Sequence, residues 1–250
     1  MPDEAAFAQR IEEASLNAWP AMHQMLLDGW ILRFAKGFTK RANSVVPLYP
    51  GNQPLQDKVR YCENLYAREQ LQSIFRLISI VDHEELDAYL SERAYAEADR
   101  TLVLTAPTPL EASTDTATPN WKLVGMSEWL DIYTSLTGLP ETAKRLHGAI
   151  LSAIRAECAY AVLRDGDWPL ACGLGVADQG LVGLFDIVTH PEHRQHGYAT
   201  ELVQALLAWG REHGAETAYL QTVADNHAAR ALYANLGFSE LYRYWYRISS

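Results

Sequence analysis

The sequence predicts an α/β fold in which a mixed, mostly antiparallel sheet is flanked by helices. In both halves of the chain, short apolar and β-branched segments alternate with segments whose apolar residues recur every three to four positions. Residues 106–120 contain three prolines and four threonines and few large apolar side chains, a composition typical of a linker. With 250 residues available, we predict two domains, 1–105 and 121–250, joined by the linker 106–120, and a single enlarged domain as the alternative.

The first half begins with an amphipathic helical pattern over residues 3–16, and a second helical segment is expected from Met22 to Leu27, after Pro20. Asp28-Gly29 is a turn that leads into a strand over 30–35. The segments that follow are predicted as a strand over 41–49, a helix over 54–70, a strand over 73–81, a helix over 84–94 and a strand over 101–105.

The second half opens with two helical patterns and closes with a strand rich in tyrosine. Its predicted elements are helices over 127–137 and 140–154, strands over 159–164, 169–177 and 181–189, a helix over 198–213, a strand over 218–223, a helix over 226–235 and a strand over 241–248. One face of the last strand carries three tyrosines, more than a small core usually needs, so we expect some of them to line an acceptor cleft between the domains.

The segment from Phe185 to Thr200 combines a β-branched strand, a loop containing Pro191 and the start of a helix. The first N–H groups of a helix lack intrahelical partners and carry a partial positive charge, so they suit phosphate oxygens. Small residues at Gly197 and Ala199 would let those oxygens approach the backbone. The segment lacks the lysine and Ser/Thr of a P-loop and the third glycine of a dinucleotide fingerprint, which argues against both of those nucleotide sites.

Arg194, Gly197 and Ala199 match the Arg/Gln-x-x-Gly-x-Gly/Ala motif, and the segment therefore resembles the acetyl-CoA-binding motif of the GNAT superfamily of N-acetyltransferases. A second stretch, Asn226 to Phe238, resembles the superfamily pattern N-x-x-A-x-x-L-Y-x-x-x-G-F. The resemblance covers residues 122–248 and implies a catalytic GNAT domain there. The element order of the first half is also similar to a GNAT core, but the phosphate motif is missing, so tandem GNAT-like domains are expected, the first without a cofactor site.

The resemblance implies that acetyl-CoA is the cofactor and that two backbone segments hold it. The end of the strand would pair with the pantetheine arm, the helix start would hold the pyrophosphate, and an asparagine would bind near the pantetheine. The predicted cofactor-binding residues are Ile187, Val188, Thr189, Arg194, Gln195, His196, Gly197, Tyr198, Ala199, Thr200 and Asn226.

Three residues are the predicted catalytic groups. The resemblance assigns Tyr233 as the general acid for the departing thiolate, and a phenol with a pKa of about 10 is protonated at neutral pH. Asp186, in the strand that feeds the motif, and Glu157, just before an earlier strand, are the alternative general bases. A structural salt bridge for either residue, or a water chain to a distant acid, remains open.

Composition and charge narrow the range of partners. A formal net charge of −10 argues against nucleic acid and favours a neutral or cationic substrate. No uncharged apolar run of about 18 residues is present, so we expect a soluble, cytoplasmic protein without a membrane partner. His190, His193 and His196 span a loop rather than a continuous helix, so no metal is expected. The three cysteines suit reduced thiols, and a homodimer is possible.

The predicted function is an acetyl-CoA-dependent N-acetyltransferase that acts by direct transfer, because no cysteine lies near the motifs in the sequence. The expected acceptor is a primary amine of a small cationic molecule, with an aminoglycoside antibiotic favoured and resistance as the role. Amino-acid, polyamine or protein N-terminal acetylation are alternatives within the class. A non-catalytic acetyl-CoA sensor is the alternative from another class.

Overall fold

The computed structural model describes residues 2–108 and 121–250, here called the first and second halves. The strands are β1 His23–Leu27, β2 Trp30–Phe34, β3 Val45–Pro47, β4 Ile74–Ile78, β5 Ala96–Pro107, β6 Trp121–Leu123, β7 Glu157–Asp165, β8 Trp168–Asp178, β9 Leu181–Thr189, β10 Thr217–Val223 and β11 Ser239–Ile248. The α-helices are α1 Pro2–Ala18, α2 Leu55–Arg68, α3 Glu84–Glu92, α4 Met126–Thr137, α5 Glu141–Ala153, α6 Tyr198–Glu212 and α7 His227–Asn235. The predicted α/β fold with a mixed, mostly antiparallel sheet is confirmed.

All the described strands belong to one sheet, in the order β1-β2-β3-β4-β11-β5-β10-β9-β8-β7-β6. The last strand of each half therefore pairs with the other half: β5 lies between β10 and β11, and β11 lies between β4 and β5. Most of the predicted linker, residues 109–120, lies outside the described residues. The division into two domains stays a prediction, while the sheet itself crosses both predicted domains without interruption.

The parallel strands β9 and β10 pair along only part of their length. Leu181–Leu184 faces Thr217–Leu220, and beyond that point β9 keeps only β8 as its neighbour while β10 keeps only β5. The two strands therefore diverge and leave a wedge at the carboxyl end of β9. Open wedges between parallel strands are common ligand positions, since the backbone edges there are unpaired.

A β-bulge lies in β9 beside this wedge. Leu174 of β8 faces Phe185, whereas Cys172 faces Val188, so two residues of β9 oppose Gly173 alone. One of these two residues is Asp186, with a φ of 51°, a conformation that a non-glycine residue rarely adopts. The Trp129 indole N–H donates to the Gly173 carbonyl over 3.1 Å, which ties α4 to the strand opposite the bulge.

Two sequence predictions in the first half were wrong. Met22–Leu27 was predicted as helical, but β1 forms a hairpin with β2, because Asp28 and Gly29 both adopt a positive φ, 44° and 85°, as a tight two-residue hairpin turn requires. Residues 41–49 were predicted as one strand, but the chain forms a 3₁₀ turn over Lys40–Ala42 and only then the short β3.

Helix α1 covers a buried ion pair at the centre of the sheet. The Arg76 guanidinium donates to both carboxylate oxygens of Glu12, and both side chains are fully buried. The Tyr242 hydroxyl donates to Glu12 over 2.6 Å, and the Arg76 guanidinium lies 3.8 Å from the centre of the Tyr244 ring. Tyr242, Tyr244 and Tyr246 are all buried, so the expectation that some of them line an acceptor cleft is wrong. They belong to the core cluster that also contains the buried residues of α1.

In the described residues no helix is long and apolar enough to span a membrane.

Candidate active site

The loop between β9 and α6 leaves a run of backbone N–H groups open. Pro191 ends the strand, and a 3₁₀ turn over Pro191–His193 follows. Gln195 and Gly197 then adopt positive φ values, 65° and 86°, that reverse the chain into the helix. Within the described residues, none of the N–H groups from Gln195 to Thr200 donates a hydrogen bond. These donors and the positive end of the α6 dipole are suited to an anion.

This loop forms one side of a cleft of ≈ 790 Å³, and α7 forms the other. Ten of the eleven predicted cofactor-binding residues line it. The exception is His196, whose Nδ1 lies 2.8 Å from the Arg194 carbonyl oxygen and whose ring stacks on Tyr198. Four lining residues of α7 were not predicted from the sequence, and they form an almost continuous face of that helix: Ala228, Ala229, Leu232 and Asn235.

Asn226 and Tyr233 reach the cleft from the two ends of α7. The Asn226 side chain accepts a hydrogen bond from the Ala229 N–H over 3.1 Å, so it is the N-cap of this helix as well as a lining residue. The Tyr233 ring packs edge-on against Phe238, with 5.8 Å between the ring centres. Burial raises the pKa of Tyr233 to about 12, so the phenol is protonated at neutral pH and can donate a proton.

The bulge places Asp186 against a buried histidine that the sequence analysis did not identify. The Asp186 carboxylate lies 3.0 Å from His147 Nε2, and His147 is only 1% exposed. His147 Nδ1 has no hydrogen-bond partner among the described residues. Burial, and then the nearby Asp186 charge, raise the pKa of Tyr133 above its ordinary value.

Aromatic side chains from both halves of the chain surround His147. Its ring centre lies within about 6 Å of four other rings, those of Trp19, Phe38, Trp129 and Tyr133. Two of them, Trp19 and Phe38, belong to the first half. The Trp19 indole N–H donates a hydrogen bond to the hydroxyl of Thr39, the residue after Phe38. Only the fold brings these residues together, so no local sequence signal marks His147.

Glu157 lies far from this group. It pairs with Ala177 at the start of β7, and Ala177 pairs with Val182, five residues before Ile187 along β9. At a strand rise of about 3.3 Å per residue this distance is roughly 17 Å. The Glu157 side chain is exposed and its nearest ionic neighbour is His213, 3.5 Å away. Asp186 itself does not line the cleft, but it directly precedes Ile187, which does, whereas Glu157 lies at the opposite end of the sheet.

A cysteine lies closer to the motifs in space than in sequence. Cys172 pairs with Val188 across β8 and β9, next to the bulge. Burial, and then the charge of Asp186, raise the pKa of the Cys172 thiol above its ordinary value. The reactive thiolate is therefore disfavoured at this position.

The three histidines of the loop do not converge. The ring centres of His190 and His193 are 5.2 Å apart, and those of His193 and His196 are 6.4 Å apart. Within residues 2–108 and 121–250, no group of His, Cys, Asp or Glu side chains has the arrangement of a metal site.

The divergent strands, the open anion loop at the start of α6 and the tyrosine-bearing helix α7 are together the features of a GNAT acyltransferase, a class that uses acetyl-CoA. The chain belongs to the family described as "Probable histone acetyltransferase Rv0428c C-terminal", whose model matches residues 6–247. It is 30% identical over 244 residues to the "Uncharacterized N-acetyltransferase YobR" of Bacillus subtilis, covering 96% of this chain and 98% of that protein.

Two solved structures share the fold. A GCN5-related N-acetyltransferase from Kribbella flavida superimposes with a TM-score of 0.70 at 17% identity, over 97% of this chain and 95% of its own. A tandem GNAT protein from the clavulanic acid biosynthesis pathway superimposes with a TM-score of 0.57 at 17% identity, over 75% of this chain and 67% of its own. The structures confirm the expected GNAT fold, and the family model together with the Bacillus subtilis relative confirms the acyltransferase class.

Proposed function

We propose that this protein binds acetyl-CoA in the cleft between α6 and α7 and transfers the acetyl group to a primary amine of a small cationic molecule. The observation that carries the proposal is the meeting, in one cleft, of unpaired N–H groups, an unpaired strand edge and a protonated tyrosine. Each supplies a different requirement of acetyl transfer: an anion site, a polar edge for the amide-containing arm, and a proton donor.

The chain's own groups fit this cofactor. The N–H groups from Gln195 to Thr200 would hold the pyrophosphate, with Arg194 lining the same cleft. The edge of β9 over Ile187–Thr189 has no strand partner on the β10 side, so its backbone groups can pair with the pantetheine amides. A side chain built on Gly197 would meet no protein atom within 4 Å, so the space at this glycine is open to a ligand.

Two protons must move during the reaction, and separate residues are available for them. When bound, the cofactor supplies an acetyl group activated as a thioester. Asp186, held by His147, would take the proton that the amine loses. Tyr233 would give its proton to the thiolate that leaves. We propose direct transfer without a covalent enzyme intermediate, since the raised pKa of Cys172 opposes its use as a nucleophile.

The surroundings of Asp186 support a cationic acceptor. The Asp186 carboxylate is about 17% exposed, and the half-buried rings of Phe38 and Tyr133 flank its partner His147. A carboxylate beside aromatic faces favours an ammonium group, and the net charge of −10 favours cations at longer range. An aminoglycoside remains the first acceptor to test, followed by polyamines, amino acids and peptide α-amines.

A second candidate is acetylation of lysine side chains on a basic protein. The description of the matching family names a histone acetyltransferase, and the acidic chain would attract a lysine-rich surface as well as a small cation.

The test is release of free thiol from acetyl-CoA in the presence of single amines: aminoglycosides, polyamines, amino acids, α-amino peptides and lysine-rich histone peptides. Turnover with one of the small cationic amines, lowered about 100-fold by Tyr233→Phe, is the expected result. Turnover confined to the histone peptides would establish the second candidate. Calorimetric binding of acetyl-CoA without turnover of any amine would contradict the enzyme proposal and favour a sensor.

A further inference from the structure

A loop of the first half, residues 35–43, reaches across to the proposed base of the second half. It connects β2 to β3 and carries Phe38 near its middle. The Phe38 ring centre lies 5.6 Å from that of His147, whose Nε2 is 3.0 Å from the Asp186 carboxylate. The first half therefore places an aromatic side chain in the immediate surroundings of Asp186.

The backbone of the 35–43 loop is strained on both sides of Phe38. Lys36 has a φ of 52°. Thr39 has a φ of 59° with a ψ of 131°, a conformation that a β-branched residue rarely adopts and that costs free energy. Such strain persists only where the surrounding structure imposes it, and it is concentrated at functional sites. The strained residues lie one and two positions from Phe38, so the strain falls where the loop presents this ring.

The side chain of Asn43 imposes the loop conformation. Asn43 is only 3% exposed. Its amide oxygen accepts the N–H of Ala35 over 2.7 Å and the N–H of Gly37 over 2.9 Å. Its amide nitrogen donates to the carbonyl oxygens of Phe38 over 2.7 Å and of Thr39 over 2.9 Å. The amide therefore uses its full capacity of two accepted and two donated hydrogen bonds on the backbone around Phe38.

Phe38 belongs to the part of the aromatic cluster around His147 that solvent reaches. His147 and the two tryptophans of the cluster are buried. Phe38 and Tyr133 are half-buried, and the Asp186 side chain is 17% exposed. The surface of the cluster toward solvent therefore consists of one carboxylate and two aromatic rings.

This surface lies on the face of β9 opposite the cofactor cleft. Ile187, which lines the cleft, is directed toward α6, because a side chain built on Gly173 would meet both the Ile187 Cδ1 atom and Leu202 of α6. Asp186 instead contacts His147 of α5. A molecule bound between Phe38 and Asp186 would therefore not compete with a cofactor in the cleft.

We propose that Phe38 selects the acceptor, with its ring face against the ammonium group that Asp186 deprotonates and against the carbon atom attached to that group. Asn43 is the positioning residue that holds the ring there. A primary alkylammonium group is the acceptor class that this arrangement fits, because an aromatic face attracts a cation and packs against its methylene carbon. This role of Phe38 rests on the acetyl transfer proposed for the second half.

The experiment is thiol release from acetyl-CoA by the full chain with kanamycin, spermidine and lysine as amines. The variants are Phe38→Leu, which removes the ring, and Phe38→Tyr, which keeps it. Phe34→Leu is the matched control: Phe34 is another half-buried phenylalanine of the first half, but its ring packs on Tyr66, 4.7 Å away. We expect Phe38→Leu to raise the KM of the amine about tenfold and to change kcat less than about threefold.

Phe38→Tyr and Phe34→Leu should keep the KM of the amine within about twofold, and calorimetry should give all three variants the acetyl-CoA affinity of the original chain. An unaltered KM in Phe38→Leu, or equal rises in Phe38→Leu and Phe34→Leu, would overturn the role of the ring while the acetyl transfer stands. Absence of turnover with all three amines in the original chain would instead contradict the transfer to a small cationic amine, and this role with it.

Asn43→Asp keeps the two acceptors of the side chain and removes its two donors. We expect it to raise the KM of the amine as Phe38→Leu does, and the double variant to be less than about twofold worse than the poorer single variant. Multiplied effects in the double variant would show that Asn43 does not act through Phe38. Thermal unfolding midpoints report whether the variants are folded, and the half-exposed Phe38 variants decide the proposal where Asn43→Asp is not.

Discussion

The two side chains proposed as acid and base, Tyr233 and Asp186, lie in different surroundings. Tyr233 lies against Phe238, and burial keeps its proton bound. Asp186 lies at a bulge with its carboxylate on His147. An acid and a base in one reaction need different environments, and the fold provides one apolar and one hydrogen-bonded environment.

Replacement of Tyr233 by Phe removes the proposed proton donor and little else, because the two side chains have nearly the same shape. We expect the turnover number to fall about 100-fold and the dissociation constant of acetyl-CoA to change less than about twofold. Thiol release and calorimetry measure the two quantities. Tyr61→Phe, at an exposed tyrosine of α2, is the control, and an unaltered turnover number in Tyr233→Phe would exclude the acid role.

Asp186 and His147 are expected to act as one unit. Asp186→Asn and His147→Gln should each lower kcat/KM, Asp186→Asn by about 100-fold, and the double variant should be little worse than the poorer single variant. Glu157→Gln, the same chemical change at the far end of the sheet, should leave the rate within about twofold. Additive losses in the double variant would show that the two residues act independently, and a large loss in Glu157→Gln would return that residue to the list of bases.

At the scale of elements, the proposed cofactor binding depends most directly on the turn into α6. Its N–H groups converge because Gln195 and Gly197 both take a positive φ. The first-half turn into α2 instead directs two N–H groups at Asp28. The same strand-loop-helix arrangement thus leads to an open anion site in one half and a closed one in the other.

Gly197→Val should abolish acetyl-CoA binding, because the side chain would stand in the anion site of the cleft. Gly138→Val is a matched control: Gly138 also has a positive φ, 69°, and equally open space, but it ends α4 away from the cleft. Both variants should lose about 1–2 kcal/mol of folding free energy from backbone strain. Equal acetyl-CoA affinities in the two variants, measured by calorimetry, would contradict the phosphate-loop assignment.

Helix α1 is held to the sheet by the ion pair between Glu12 and Arg76. Burial is the largest single effect and would raise the pKa of Glu12. The charge and hydrogen bonds of Arg76, together with the Tyr242 hydrogen bond and the Arg33 charge, outweigh it and hold that pKa below its ordinary value. A lowered carboxyl pKa stabilises the fold above the unfolded pKa of about 4.3, and that contribution is lost as the pH falls through the folded value. Denaturant unfolding should therefore show stability falling below about pH 4.

Glu12→Gln leaves the Arg76 charge buried and unpaired, so we expect a loss of about 3–5 kcal/mol in the free energy of unfolding at pH 7. The control is Glu13→Gln at the neighbouring, partly exposed glutamate, for which a change below about 1 kcal/mol is expected. Similar free energies of unfolding for the two variants would show that the buried pair does not anchor α1.

At the scale of the whole molecule, the two halves form one sheet because β5 of the first half pairs with β10 and β11 of the second, and β11 also pairs with β4. Removal of the first half would expose the edges of β10 and β11 that now pair with β5. The residues around His147 also come from both halves, so the proposed base and its surroundings are complete only in the full chain.

We therefore expect the full chain to unfold in one cooperative transition, with coincident curves from circular dichroism and from tryptophan fluorescence. The fragment 121–250 alone should not show a cooperative transition, and addition of the fragment 1–108 should restore it. Two separate transitions in the full chain, or cooperative unfolding of the isolated second half, would show that the halves are independent domains.

The sequence by itself determined most elements of the second half and ten of the residues around the proposed cofactor cleft. These features depend on local causes: apolar periodicity, a glycine at the helix start and an asparagine at an N-cap, each legible within a few residues. β1 was predicted as a helix because the strand character of residues 23–27 comes from pairing with β2, and intrinsic preference is weaker than pairing.

Only the tertiary structure decided which residues from distant parts of the chain meet. The contact of His147 with Asp186 depends on a bulge opposite Gly173 and on helix α5, 39 residues earlier in the chain. The burial of Tyr242 and its partners depends on the ion pair that α1 brings from the other end of the sequence. The tertiary structure likewise decided that β5 and β11 pair with strands of the other half. The edge of every strand presents the same backbone N–H and C=O groups, so the sequence pattern of a strand does not specify its neighbour.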